Sequence, residues 1–284
     1  MKVLVTGVRG QLGYDVCKRL DELGMENCGV DRQDFDLTDE AQVRAAVEAY
    51  APDCVIHCAA YTAVDKAEVD REACMRVNEA GTRFLAQACE RCGASMVYIS
   101  TDYVFPGTGD HPYEVNDPKG PQNVYGESKL AGERAVEACL EKRYIVRVSW
   151  VFGLNGGNFV KTMLRLGKEK ESLTVVSDQV GAPTYTRDLA VLLCDLIQTQ
   201  KYGVYHAPNE GCCSWSDFAA AIMREAGLPM KIVPVLTRDY TASVAKRPLN
   251  SRLSTRSLAE NGLAKLPPWE DALRRYLREL DEAR

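Results

Sequence analysis

"KVLVTGVRGQLG", residues 2–13, decides the fold. Val3, Leu4 and Val5 make a short apolar run of strand length, closed by Gly7. Gly7, Gly10 and Gly13 then give G-x-x-G-x-x-G at the opening of a helical pattern, with Gln11 and Leu12 inside it. A tight passage from strand to helix needs positive φ and bare backbone, and glycine supplies both. The helix that follows points its unpaired N–H groups back at the turn, where an anion can meet them. Glycines punctuate many turns, so the pattern gains weight from its surroundings. "NCGVD" reads as a second strand whose last residue, Asp31, falls about 18 residues after Gly13. A glycine turn after the first strand and an acid at the end of the second point to a dinucleotide cofactor.

Working outward, the first half alternates strand and helix. "LGYDVCKRLDELG" has helical spacing and stops at Gly24. "TDEAQVRAAVEAYAPD" takes Thr38 as its N-cap and ends before Pro52. "CVIHCAA" is a strand, "VNEAGTRFLAQACERCG" a helix, "SMVYIST" a strand, "YGESKLAGERAVEACL" a helix and "YIVRVSW" a strand. Such alternation implies parallel strands joined by right-handed crossovers, an α/β Rossmann-type doubly wound sheet. After Trp150 the rhythm breaks into a smaller mixed lobe: "VKTMLRLGKEKE", "LTVVSD", "SWSDFAAAIMREAG", "KIVPVL" and "PPWEDALRRYLREL". The expected division is a dinucleotide-binding domain over 1–150 and a mainly substrate-binding lobe over 151–284. Segment 185–210, with "TRDLAVLLCDLIQT" and "GVYHAP", is expected to pack back on the first domain.

Composition narrows the functions. A net charge of −5 argues against nucleic-acid binding, which needs a basic surface. No apolar run approaches the roughly 20 residues of a membrane helix, and no export signal is visible. A cytoplasmic protein with reduced thiols is expected, although it has 11 cysteines. "CERC" (Cys89, Cys92) has the spacing of a redox pair or half a zinc site, but it sits in a helical pattern with no partner pair. Only three histidines, His57, His111 and His206, are present, so no metal site is expected.

The chemistry centres on "NVYGESKLAGE", residues 123–133. Tyr125 and Lys129 are four apart and share one helix face. "YISTDYVF" precedes them and places Ser100, Thr101 and Asp102 at the C-terminal end of a parallel strand, where such sheets bind ligands. A hydroxyl, a phenol and an ammonium thus converge beside the cofactor. Carbonyl reduction puts hydride on carbon while oxygen gains a proton. A phenol is a weak acid at neutral pH, and a neighbouring ammonium is expected to lower its pKa.

Through TGxxGxxG, the strand-end threonine and YxxxK, the chain resembles the extended short-chain dehydrogenase/reductases. Within them it is similar to the dTDP-4-dehydrorhamnose reductases. The resemblance spans nearly the whole chain through "TGVRGQLG", "AAYTAVDKAE", "STDYVFPG", "NVYGESKLAGE", "RVSWVFG", "NFVKTMLRL", "DQVGAPTYTRDLA" and "RPLNSRL". It implies reduction of a dTDP-sugar 4-ketone by NADPH, with NADH also accepted. It implies catalytic roles for Thr101, Tyr125 and Lys129. Gly10, Gln11, Leu12, Asp36, Leu37, Ala59, Ala60 and Tyr61, with Tyr125 and Lys129, would line the cofactor. Val64, Asp65, Asp102, Tyr103 and Trp150, with Thr101, would face the sugar nucleotide.

Several choices stay open at this stage. Asp31 suits a ribose 2′-hydroxyl, whereas Arg32 and Arg9 suit a 2′-phosphate, and they tip the expectation to NADPH. Arg247, Asn250 and Arg252 could meet a diphosphate or simply lie at the surface. Some relatives form dimers through a metal on acidic residues; Arg187 stands where one such acid is expected, although Asp15 remains. A monomer or weak homodimer is therefore expected. The rivals are a nucleotide-sugar epimerase or dehydratase on the same scaffold, and a cofactor-binding regulatory subunit like that of methionine adenosyltransferase. Dehydratases carry Asp-Glu after the threonine, where this chain has Asp102-Tyr103.

Overall fold

The computed structural model describes residues 1–240 and 243–283. Its main sheet starts from β1 (Lys2–Thr6), which pairs in parallel with β2 (Glu26–Val30) on one side and β3 (Cys54–His57) on the other. β4 (Ser95–Thr101) and β5 (Arg143–Val148) continue outward from β3. The chain then leaves the sheet through β6 (Ser172–Val176) and returns as β7 (Gly203–His206), which pairs with β5. The order is β7-β5-β4-β3-β1-β2, parallel throughout.

The strands read as continuous apolar runs because both faces are covered. Val3, Val5, Ile56, Val97 and Val146 face the core built on α1 (Gln11–Glu22) and α8 (Thr186–Leu196). The alternate residues Leu4, Val55, Met96, Tyr98 and Ile145 face α2 (Glu40–Tyr50), α5 (Thr82–Cys92) and α6 (Val124–Cys139). The two-residue period of a strand thus sorts one sequence into two cores. A third core, around Phe152, Phe218, Trp269 and Tyr276, holds α7 (Phe159–Glu169), α9 (Trp215–Glu225) and α11 (Trp269–Glu282) together. β6 pairs there with β8 (Lys231–Val235), and α10 (Arg256–Glu260) lies beside β7.

Three local expectations change. The N-cap of α2 is Asp39, not Thr38: its carboxylate accepts from Ala41 N at 2.9 Å and Gln42 N at 3.1 Å. Thr38 instead donates N–H and O–H to Asp36, at 2.9 and 2.8 Å. The helix expected from Val77 begins as a π-helical run, Arg76–Gly81, and "VDKAEVDREACM" supplies two short helices, α3 (Val64–Ala67) and α4 (Arg71–Met75), that periodicity does not reveal. The "CERC" thiols are free, Cys89 buried and Cys92 exposed. Among the described residues no helix is long and apolar enough to cross a membrane.

At Gly132, α6 packs directly on Tyr98 of β4. A Cβ there would lie 2.2 Å from Tyr98 Oη and 2.5 Å from Asn78 O. Gly132→Ala is therefore expected to cost about 1–3 kcal/mol, read from urea unfolding midpoints; an unchanged midpoint would contradict this packing.

Candidate active site

β2 and β3 leave β1 on opposite sides, so a crevice opens beyond the C-terminal ends of the strands, where such sheets bind ligands. It is a cleft of about 1140 Å³ that runs from the glycine turn to the third core.

At one end, Gly7 has φ +73° and packs against the chain leaving β3; a Cβ would meet Ala59 N at 2.7 Å. A Cβ on Gly13 would lie 2.4 Å from Gly7 O. Gly10 is the N-cap of α1 and no side chain caps that end, so the first-turn N–H donors face the cleft. These features fit a pyrophosphate laid against bare backbone. Asp31 accepts from Arg9 N at 3.0 Å and Arg32 N at 2.7 Å, which ties the end of β2 to the glycine turn. The Arg9 guanidinium is held by Gln33 at 2.5 Å, and Arg9 and Arg32 both line the cleft. Asp36 and Leu37 lie alongside, and the hydrogen bonds from Thr38 hold the Asp36 carboxyl below the usual carboxylate range.

Ala59, Ala60 and Tyr61 form the cleft floor after β3. Asn78, in the π-helical run, clamps Tyr61 from both sides: Tyr61 N donates to Oδ1 at 2.8 Å, and Nδ2 donates to Tyr61 O at 3.0 Å. Nδ2 also donates to Ser128 Oγ at 2.9 Å, which couples this loop to α6. Sequence reasoning missed Asn78, because a polar residue in a helical run looks solvated until the loop it faces is known.

Thr101, Tyr125 and Lys129 meet in the middle of the cleft. Asn123 caps α6 by accepting from Gly126 N at 2.8 Å, which sets Tyr125 in the first turn and Lys129 one turn deeper. Thr101 Oγ1 donates to Asp102 Oδ1 at 2.9 Å. Burial pushes the Tyr125 phenol well above its ordinary value; the Asp102 carboxyl adds to this, and a hydrogen bond with Thr101 offsets it in part. The net shift is upward, opposite to the lowering expected from Lys129. The Lys129 ammonium lies 4.1 Å from the centre of the Tyr98 ring, and burial pulls it down to about 7. Burial likewise raises the Asp102 carboxyl to about 6. Desolvation, which opposes charge on every group, outweighs the pairing that spacing alone suggests.

Val64, Asp102, Tyr103 and Trp150 line the far half of the cleft, but Asp65 does not. Asp65 is turned to the segment after residue 242, accepting from Val244 N at 3.0 Å, Ala245 N at 2.9 Å and the Arg247 guanidinium. Arg247 NH1 in turn donates to Tyr103 Oη at 3.2 Å, so Asp65 reaches the cleft through two intermediaries. Asn250 is spent on the carbonyls of Thr108 and His111, and Arg252 on Asn250 Oδ1. Those bonds occupy the Asn250 amide and part of the Arg247 and Arg252 guanidinium groups. Arg187 pairs with Glu279 at 3.2 Å, with Lys18 on the same carboxylate at 3.5 Å, while Asp15 is buried nearby with its carboxyl raised by burial to about 6.

Trp150 holds φ +50°, a rare conformation for a bulky residue. Its indole stacks on Trp215, with ring centres 3.7 Å apart and planes at 15°. Trp215 also lines the cleft, as the first residue of α9, behind a Ser214–Asp217 capping box. In the sequence it looks like one more apolar helix position.

The family model described as RmlD substrate binding domain matches residues 1–282. The chain belongs to this family. It is 43% identical over 282 residues to the spore coat polysaccharide biosynthesis protein SpsK of Bacillus subtilis (strain 168), covering 99% of each. It is 40% identical over 294 residues to a dTDP-4-dehydrorhamnose reductase of Escherichia coli (strain K12), covering 99% of this chain and 98% of that one. A crystal structure of dTDP-4-dehydrorhamnose reductase (rfbD) from Bacillus anthracis str. Ames in complex with NADP superposes with a TM-score of 0.95 at 43% identity, covering 98% of this chain and 100% of that one.

In this family member the stacked indoles are an internal reporter of the cleft, since the third tryptophan, Trp269, packs edge-on against Phe218. An exciton couplet is expected in the far-ultraviolet circular dichroism. Trp215→Phe should abolish it and Trp269→Phe should leave it; a couplet that survives Trp215→Phe would show that the indoles do not stack in solution.

Proposed function

We infer that this chain is an NAD(P)H-dependent oxidoreductase of nucleotide-sugar biosynthesis. It reduces the 4-keto group of dTDP-4-dehydro-L-rhamnose to give dTDP-L-rhamnose. The observation that carries this reading is the meeting of Thr101, Tyr125 and Lys129 in one cleft with the glycine turn.

Gly7, Gly10, Gln11, Leu12 and Gly13 would hold the pyrophosphate of NADPH, with Asp36, Leu37, Ala59, Ala60 and Tyr61 along its length. Arg9 and Arg32 favour a 2′-phosphate, because Asp31 is engaged by two backbone N–H groups. When bound, NADPH supplies the hydride for C4 of the sugar. Thr101 orients the ketone oxygen. Tyr125 gives that oxygen its phenolic proton as negative charge develops there, and is reprotonated from solvent. Because burial keeps the phenol protonated near neutrality, Tyr125 stands in the donor form. Lys129, when charged, stabilises the phenolate left behind. Val64, Asp102, Tyr103 and Trp150 would surround the sugar nucleotide, with Trp215 backing Trp150.

The rival readings lose support at named residues. A dehydratase needs a second carboxylate where this chain has Tyr103, whose hydroxyl is held by Arg247. A regulatory subunit has no need of the intact Thr101, Tyr125 and Lys129. For assembly, the Arg187–Glu279 pair places a cation where a bridging metal would need another acid, which favours a monomer or weak homodimer.

With dTDP-4-dehydrorhamnose, one NADPH is expected to be oxidised for each sugar reduced, followed by absorbance; turnover without net oxidation would favour an epimerase. Tyr125→Phe removes only a hydroxyl and should lower kcat by about 10²- to 10⁴-fold with little effect on NADPH affinity. Near wild-type turnover would rule Tyr125 out as the donor.

A further inference from the structure

Glu133 lies one turn beyond Lys129 on the face of α6 that carries Tyr125, and its side chain is 3% exposed. Arg147 of β5 grips it with two parallel bonds, Nε to Oε1 at 2.8 Å and NH2 to Oε2 at 2.7 Å. Ser100, the neighbour of Thr101 at the end of β4, donates to the same Oε1 at 2.5 Å. Arg147 spends its remaining arm, NH1, on Val115 O at 2.9 Å and on His206 Nε2 at 3.2 Å. One carboxylate thus joins the three elements that carry Thr101, Tyr125 with Lys129, and, three residues past Arg147, Trp150. No sugar, ketone or phosphate needs it, since neither Glu133 nor Arg147 lines the cleft.

A buried ion pair is a weak device for stability, because desolvation consumes most of what the pairing returns. This one sits where charge matters to the reaction. The groups facing Lys129 are Glu133 of its own helix, Tyr98 of β4, Cys74 of α4, and His57 and Cys58 at the end of β3, with Tyr125 one turn away on the same helix. Burial pushes the Cys58, Cys74, Tyr98 and Tyr125 groups up and His57 down to about 3, so all of these are neutral at pH 7. Glu133 is left as the carboxylate that favours the ammonium.

We propose that Glu133, fixed by Arg147 and Ser100, is a positioning residue of this reductase: from beneath Lys129 it keeps the ammonium charged and in register with Tyr125 and Thr101. This rests on the reading of Lys129 as the partner of the tyrosine and of the cofactor. Glu133 touches no reacting atom and acts through Lys129 alone.

The test is the alkaline limb of kcat/KM, which reports the free enzyme, together with the pH dependence of NADPH binding by fluorescence. In the wild type both should weaken as pH rises through about 7, where Lys129 loses its proton. Glu133→Gln removes one charge and keeps the shape. It should move both limbs to lower pH by about one unit, a roughly tenfold loss on the alkaline side that is recovered at acid pH. Since this variant leaves Arg147 buried and unpaired, Glu133→Gln with Arg147→Met is the second arm; removing both charges spares the fold that penalty. Limbs displaced downward in either folded variant support the proposal. Limbs at the wild-type pH in every folded variant overturn it and leave the ion pair a structural clamp. The binding limb needs no turnover, so a wild type that binds NADPH but does not reduce the sugar would sink the reductase reading without deciding the role of Glu133.

Discussion

The close contact between Gly7 and the backbone of Ala59 is the constraint from which the cleft is built. With φ +73° and no Cβ, Gly7 lets the turn after β1 lie directly on the chain leaving β3. Any side chain there would push the two apart, and with them the start of α1 and the floor formed by Ala59, Ala60 and Tyr61. Gly13 repeats the argument one turn on, letting α1 sit against Gly7 O. Because β2 and β3 diverge from β1 at this point, the contact closes the bottom of the crevice while its mouth stays open.

The opposite wall is built from the third core and depends on stacking. Trp150 leaves β5 in a left-handed conformation that costs about 1–3 kcal/mol, and its indole rests on Trp215. The segment 243–250 then crosses from that lobe to the first: Asp65 takes Val244 N, Ala245 N and Arg247, while Lys246 O takes Asn123. The cap of α6 is therefore tied to the same segment that steadies Tyr103. Residues about 120 apart in the chain hold the first turn of α6, and with it Tyr125, in place.

Much of this was legible in the sequence. Alternating strands and helices gave the parallel sheet, because period-2 and period-3.6 patterns are local properties of the chain. The glycine turn, Thr101, Tyr125 and Lys129 were legible because each belongs to a short motif in which neighbouring residues define the geometry. The N-cap of α2 slipped by one residue, since Thr38 and Asp39 are both good caps and only the fold shows that Asp36 claims Thr38. Asn78 and Trp215 were missed because their roles lie in what they touch across the chain, and Asp65 was misplaced for the same reason.

By itself, then, the sequence determined what local chemistry can encode: the order of elements, the turn that only glycine allows, and a phenol and an ammonium on one helix face. Tertiary structure decided the electrostatics. Where the spacing alone points to a phenol lowered by its ammonium, burial dominates, raising the phenol and lowering the ammonium. The physical reason is that a pKa depends on how much water is removed from a group and which charges surround it. Both are set by segments far apart in the chain, and no spacing along α6 could show that Tyr98 lies under Lys129 or that Arg147 holds Glu133.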